Sequence, residues 1–174
     1  ASREYFLPGP DFQSARISPD ESYLYVGRRN GLERWPVRPD AVGPPVDLEN
    51  AVLLPLPDGQ GARALALSLA SDLGLVELTD LRLAIINLKT STPPVFLAQR
   101  SRQTSLRTPG SPTGAGRFTL SPDGRWAVTG FGVGPGDRPK VWDTQTGELV
   151  TELAFGSATV AFTPEGHRLG AAST

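Results

Sequence analysis

Four times along the chain a short apolar run ends in Ser or Thr and meets an acidic turn. The copies are Ile17-Ser18-Pro19-Asp20, Leu67-Ser68 ahead of Ser71-Asp72, Leu120-Ser121-Pro122-Asp123-Gly124, and Phe162-Thr163-Pro164-Glu165-Gly166. From Ser18 to Ser68 is 50 residues, from Ser68 to Ser121 is 53, and from Ser121 to Thr163 is 42. Self-similarity at about 40–50 residues marks a repeat architecture, in which each unit buries its apolar face only against its neighbours. The repeat constrains the fold more than any single residue does.

The third copy shows what one unit contains. Phe118-Thr119-Leu120 alternates apolar and polar residues with a period of two, the pattern of a half-buried strand. Ser121-Pro122-Asp123-Gly124 supplies the backbone angles of a tight turn, and Trp126 to Gly130 forms a second strand antiparallel to the first. A glycine-rich connector, Gly132 to Gly136, leads to a third strand, Pro139 to Asp143. After the turn Thr144-Gln145-Thr146-Gly147, the stretch Glu148 to Leu153 makes a fourth. Four short antiparallel strands joined by three turns form the sheet of a β-propeller blade.

The other copies repeat that order. The first predicts strands at Ser14–Ile17, Tyr23–Gly27 and Leu32–Trp35, then a Pro-rich connector from Val37 to Pro45 and an outer strand near Val52–Leu54. In the second, Arg63–Leu67, Leu75–Leu78 and Arg82–Asn87 fill the inner places, and Val95-Phe96-Leu97 the outer one. Its Leu and Ala content also suits a helix, but Ile85-Ile86 and the spacing favour strands. The fourth copy holds two strands, Ala158–Phe162 and Arg168–Ser173, and Tyr5-Phe6-Leu7 reads as the outer strand of a preceding unit. The expected fold is all-β: a partial propeller of about three and a half four-stranded antiparallel blades, with units at 12–56, 62–98, 116–154 and an incomplete 157–174. Residues 99–115 are polar, break the alternation and are expected to be flexible. The chain also lacks methionine and stops in mid-repeat, which reads as a segment of a larger protein.

Phe118 to Leu153, above all Val141-Trp142-Asp143-Thr144-Gln145-Thr146-Gly147-Glu148-Leu149, resembles a WD-repeat blade, and the Ser-Pro-Asp-Gly turn two strands earlier fits the same pattern. In that family some blades hold a His, a Ser or Thr, an Asp and the Trp in one hydrogen-bonded set. Thr129, Asp137 and Trp142 match three of those positions, while the connector before them has no histidine. In the first copy Trp35 is followed by Pro36 where the family has Asp. The resemblance implies a scaffolding or sensing module, with any effector domain outside this chain.

Composition removes several function classes. Seventeen basic residues against 18 acidic ones give a net charge of −1, so no bulk electrostatic case for a nucleic-acid partner arises. No apolar stretch approaches the ~20 residues a membrane-spanning helix needs. Cysteine is absent and His167 is the only histidine, which leaves no thiol chemistry, no Cys/His metal set and no cofactor to assign. With no signal sequence visible, the cytoplasm is the favoured compartment.

The expected function is therefore a non-catalytic protein–protein interaction module. Its working surface is the rim formed by the loops joining blades and by the second-to-third-strand connectors, Gly27–Gly31 and Gly130–Asp137. Arg28, Arg29, Arg34, Asp137 and Arg138 are the candidate contact residues, set against a plainly solvated surface. Trp35, Trp142, Asp123 and Asp143 are assigned structural roles, in packing between blades and in accepting turn amides. The alternative is the propeller portion of a hydrolase of the prolyl-oligopeptidase type, or a propeller enzyme whose catalytic groups lie outside this chain.

Overall fold

The computed structural model describes residues 11–38, 46, 47, 49–98, 118–130, 138–155, 158–166 and 168–173. Its strands are β1 (Phe12–Ile17), β2 (Tyr23–Arg28), β3 (Gly31–Pro36), β4 (Val52–Leu54), β5 (Ala62–Leu67), β6 (Leu73–Leu78), β7 (Leu83–Asn87) and β8 (Val95–Phe96). They continue with β9 (Phe118–Leu120), β10 (Trp126–Thr129), β11 (Lys140–Asp143), β12 (Leu149–Glu152), β13 (Ala158–Phe162) and β14 (Leu169–Ser173). One short 3-10 turn, Pro57–Gly59, precedes β5.

The strands pair only with their sequence neighbours. Three four-stranded antiparallel sheets, β1-β2-β3-β4, β5-β6-β7-β8 and β9-β10-β11-β12, are followed by the two-stranded β13-β14. The first strand of each sheet lies against the first strand of the next: β1 on β5, β5 on β9, and β9 on β13. The sheets thus fan out from a line of inner strands. This is a partial β-propeller of three and a half blades, an arc rather than a closed ring among the described residues.

The recurrent turn motif sets the register four times over. Ser18 N–H donates to Tyr23 O at 2.8 Å, Ser68 to Leu73 at 3.1 Å, Ser121 to Trp126 at 2.8 Å and Thr163 to Arg168 at 2.9 Å. Each hairpin closes on the same pair of positions, so each sheet turns the same faces toward its neighbours. A second shared device sits at the start of the inner strands. β1 has a register shift between Phe12 and Ser14, and β5 one between Ala62 and Ala64.

The core lies between the sheets. Tyr25 and Leu32 of the first sheet pack with Leu65, Val76, Leu78 and Ile86 of the second. Leu75, Ile85 and Leu97 of the second pack with Phe118, Leu120 and Trp142 of the third. The second sheet is therefore covered on both faces. This explains why its strands read as nearly continuous Leu/Ala/Ile runs, with helix-like composition but no helix. Trp142, 2% exposed, fills the second seam, and large aromatics of this kind bury roughly 150–250 Å² each.

Candidate functional site

Antiparallel pairing sorts the connections onto two ends of the fan. One end carries the Ser/Thr-headed turns and the turns after the third strands. The other carries the turns between second and third strands and the links from one sheet to the next.

At the first end, side chains satisfy the turn backbone. The Ser18 hydroxyl donates to Asp20 Oδ1 at 2.6 Å and accepts from Tyr23 N at 2.9 Å, while Ser22 N donates to the same carboxylate at 3.2 Å. Ser121 and Asp123 repeat the arrangement at 2.5 Å, with Trp126 N on the hydroxyl at 2.9 Å and Arg125 N on the carboxylate at 3.0 Å. These donors hold the Asp20 carboxyl down at about 2 and that of Asp123 below its ordinary value, the serine hydroxyl contributing most in both. Asp143 accepts from Gln145 N at 2.8 Å and Thr146 N at 3.0 Å, closing the turn before β12. Asn87 does the same for Lys89 N and Thr90 N at 2.9 and 2.8 Å.

In the second copy the structure redraws the motif. Counting from Ser68, the position of Asp20 and Asp123 is held by Ala70, and Asp72 falls two residues later. Without a carboxylate beside it, the Ser68 hydroxyl donates instead to Pro122 O of the next sheet at 2.9 Å. Ser71 N and its hydroxyl turn inward onto Ser68 Oγ at 3.0 and 2.6 Å. Asp72 pairs with Lys89 at 2.9 Å.

Trp35 and Trp142 sit at matching places but use different partners. Trp142 Nε1 donates to Thr129 Oγ1 at 3.1 Å within the third sheet. At the place of Thr129 the first sheet has Val26, and Trp35 Nε1 donates instead to Glu33 Oε2 at 2.9 Å. Glu33 also accepts from Arg28 Nε at 2.8 Å.

That pairing corrects the expected surface position of Arg28. It is only 8% exposed because the Glu33 carboxylate draws it back along the sheet, with its guanidinium 5.8 Å from the Trp35 ring centroid. Arg29 is exposed and lies 3.5 Å from Asp11. Arg34 sits toward the opposite end of its sheet, over the Tyr23 ring at 4.9 Å and donating to Leu88 O at 3.2 Å. The three arginines do not converge. Arg138 is exposed, whereas Asp137, the connector 131–137, His167, Tyr5–Leu7 and the segment 99–115 lie outside the described residues.

The second end holds a cluster that the sequence did not single out. Arg82 binds Asp58 Oδ2 at 2.8 Å and Asp80 Oδ2 at 2.6 Å, and its guanidinium lies 4.6 Å from the Phe96 ring centroid. The two hydrogen bonds, Asp58 first, hold it more firmly protonated. Gln60 accepts from Asp80 N at 3.1 Å and from the Thr79 hydroxyl, tying the link before β5 to the turn after β6. At the tip of that turn Leu81 is 36% exposed with φ of 75°. A bulky residue in the left-handed region is rare, and its only advance notice is the turn-like Thr79-Asp80 before it. Among the described residues no group of three or more His, Cys, Asp or Glu is placed to hold a metal ion. No described helix is long and apolar enough to cross a membrane. No family model matches the chain, and no curated protein matches it in sequence.

Proposed function

We propose that this chain is a WD-repeat-like propeller segment that acts as a non-catalytic protein–protein interaction module. Its working face is the end of the fan that carries Arg29, Asp58 and the Thr79–Arg82 turn. The repeated Ser-headed turns, the Trp142–Asp143 pair and the Trp142–Thr129 hydrogen bond support the kinship. One observation supports the face above the others. Leu81 stands exposed on a backbone conformation costing about 1–3 kcal/mol, fixed there by the Arg82, Asp58, Asp80 and Gln60 network. An apolar tip on a rigid polar collar is the form of an interface anchor and its rim.

Leu81→Gly separates binding from folding. Glycine accepts a positive φ without strain, so the variant keeps or gains thermal stability while losing the apolar tip. In cross-linking capture from extract of the source cells, proteins retained by the parent chain should fall about tenfold with the variant, as for loss of a hot-spot side chain. Undiminished capture by a variant that melts no lower would remove this face from the proposal.

A further inference from the structure

The chain has three asparagines, Asn30, Asn50 and Asn87, and their surroundings set how long each amide survives. An Asn amide is lost when the backbone nitrogen of the next residue closes a ring onto its Cγ. The bulk of that next residue and any restraint on the two groups therefore control the reaction. Asn87 is held at both groups. Its Oδ1 accepts from Lys89 N at 2.9 Å and Thr90 N at 2.8 Å, and the following nitrogen, Leu88 N, donates to Asp72 O at 2.8 Å. Asn50 donates through Nδ2 to Asp47 Oδ2 at 2.9 Å, and the next residue, Ala51, carries a methyl group beside its nitrogen. The related Asp-Gly pairs are also restrained, Asp58 by Arg82 at 2.8 Å and Asp123 by the Ser121 hydroxyl at 2.5 Å.

Asn30 has neither protection. It stands exposed at the tip of the β2–β3 hairpin, its side chain has no hydrogen-bond partner among the described residues, and Gly31 follows with no side chain to crowd the nitrogen. The tip is also poorly matched to its strands. Arg28 pairs with Gly31, which leaves Arg29 and Asn30 as a two-residue turn, yet neither has the positive φ that the favoured two-residue turns use. Turns without it splay the strand ends, so the Arg28–Gly31 pair is where this hairpin frays and frees the Gly31 nitrogen.

We propose that Asn30 is a self-modification site, at which the chain converts a neutral amide into a carboxylate with water as the only co-reactant. Hydroxide removes the Gly31 N–H proton and the nitrogen bonds to Asn30 Cγ. The Cγ–Nδ2 bond breaks and ammonia leaves, taking its extra proton from water. Water then opens the cyclic imide. Cleavage between Cγ and the nitrogen restores the ordinary backbone with an aspartyl residue, and cleavage at the original carbonyl carbon leaves the β-linked isoaspartyl form. Either product sets a negative charge beside the exposed Arg29 guanidinium, which has Asp11 at 3.5 Å as its ion-pair partner. The chemistry belongs to the turn itself and does not depend on the binding role proposed for that end of the fan.

The test follows the folded chain in mildly alkaline buffer by peptide mass mapping and anion exchange, beside a chemically unfolded sample. Asn30 should gain the mass of an amide-to-acid change at a rate proportional to hydroxide. That rate should be no more than about tenfold below the unfolded sample's, as for a site reached by local fraying. Asn50 and Asn87 should stay intact over the same period. The Gly31 amide should exchange its proton faster than the Val26 amide in the middle of the hairpin. Asn30→Gln, whose closure needs a larger and slower-forming ring, should keep its original charge, and Asn30→Asp should co-elute with the aspartyl product. An Asn30 still intact beyond that limit, equal loss at Asn50 or Asn87, a Gly31 amide as protected as that of Val26, or the same acidic form arising in Asn30→Gln would each overturn the proposal.

Discussion

The Ser68 hydroxyl donates to Pro122 O, 54 positions along the chain, at 2.9 Å, and this bond joins two sheets. Its counterparts Ser18 and Ser121 spend the same hydroxyl on a carboxylate in their own turns. One substitution, Ala70 at the acidic place, converts an intra-turn group into an inter-sheet one. Both Ser68 and Ser121 are 1% exposed, so neither hydroxyl can fall back on water.

Ser68→Ala should therefore destabilise the chain by about 1–3 kcal/mol, the range for leaving buried groups short of a partner. Ser71 N and Oγ lose their acceptor in the same change. In urea unfolding the midpoint should fall with the slope unchanged, because the native sheets bury the same surface. An unaltered midpoint would mean that the seam is held by its apolar contacts alone.

Glu21 and Gly124 make a second informative pair. Both occupy the fourth place of the Ser-headed turn, with φ of 56° and 75°, and Gly166 stands there in the fourth copy with 77°. A left-handed backbone costs an L-residue about 1–2 kcal/mol, part of which glycine returns as chain entropy lost on folding. Glu21→Gly should consequently stabilise by about 0.5–1 kcal/mol. Gly124→Ala should do the reverse, by about 2 kcal/mol or more, because its Cβ would also overlap Ser71. Thermal melting of the two variants should move in opposite directions.

The sheets were legible because turn chemistry and period-two patterning coincide in each copy, and the four Ser/Thr positions mark the same closing hydrogen bond. The second copy was the hardest to read. Burial on both faces removes the polar alternation that identifies a strand, and Ala70 removes the acidic marker that the other three turns carry. The candidate site was far less legible. Arg28-Arg29 reads as a basic surface pair, but Glu33, paired across the hairpin near Arg28, withdraws one of the two. Leu81 gave no signal beyond the turn-like Thr79-Asp80 before it, since a left-handed leucine is dictated by its surroundings and not by its own preference.

Acid should expose the turn carboxylates as follows. In the folded chain Asp20 titrates at about 2 against an ordinary 3.8, chiefly because of the Ser18 hydroxyl. Between those values the unfolded chain binds more protons than the folded one, so stability rises with pH through that window. The contribution is complete above about pH 4 and is lost as the pH falls through about 2; it is modest, since the carboxylate is exposed and solvent screens it. Carboxyl ¹³C titration should place Asp20 near 2, and Ser18→Ala should move it up toward its ordinary value while Asp123 stays low. An Asp20 midpoint indifferent to Ser18→Ala would show that Ser22, through its hydroxyl and its backbone amide, is the controlling donor.

The indole of Trp142 tests whether the third sheet depends on its internal hydrogen bond or only on packing. Trp142 is 2% exposed and Thr129 6% exposed, and Nε1 reaches the threonine hydroxyl at 3.1 Å with water excluded. Thr129→Val keeps the shape and removes the acceptor, which should cost about 1–3 kcal/mol for a buried, unsatisfied N–H. The first sheet predicts the remedy. There Val26 already occupies the equivalent place and the indole of Trp35 turns to Glu33 on its own strand, where the third sheet has Lys140. Adding Lys140→Glu to Thr129→Val should then restore part of the loss, read as a positive coupling in a double-mutant cycle. Strict additivity of the two changes would show that the carboxylate cannot reach the indole in the third sheet, and that the Trp35 arrangement depends on the Arg28 guanidinium bound to the same oxygen.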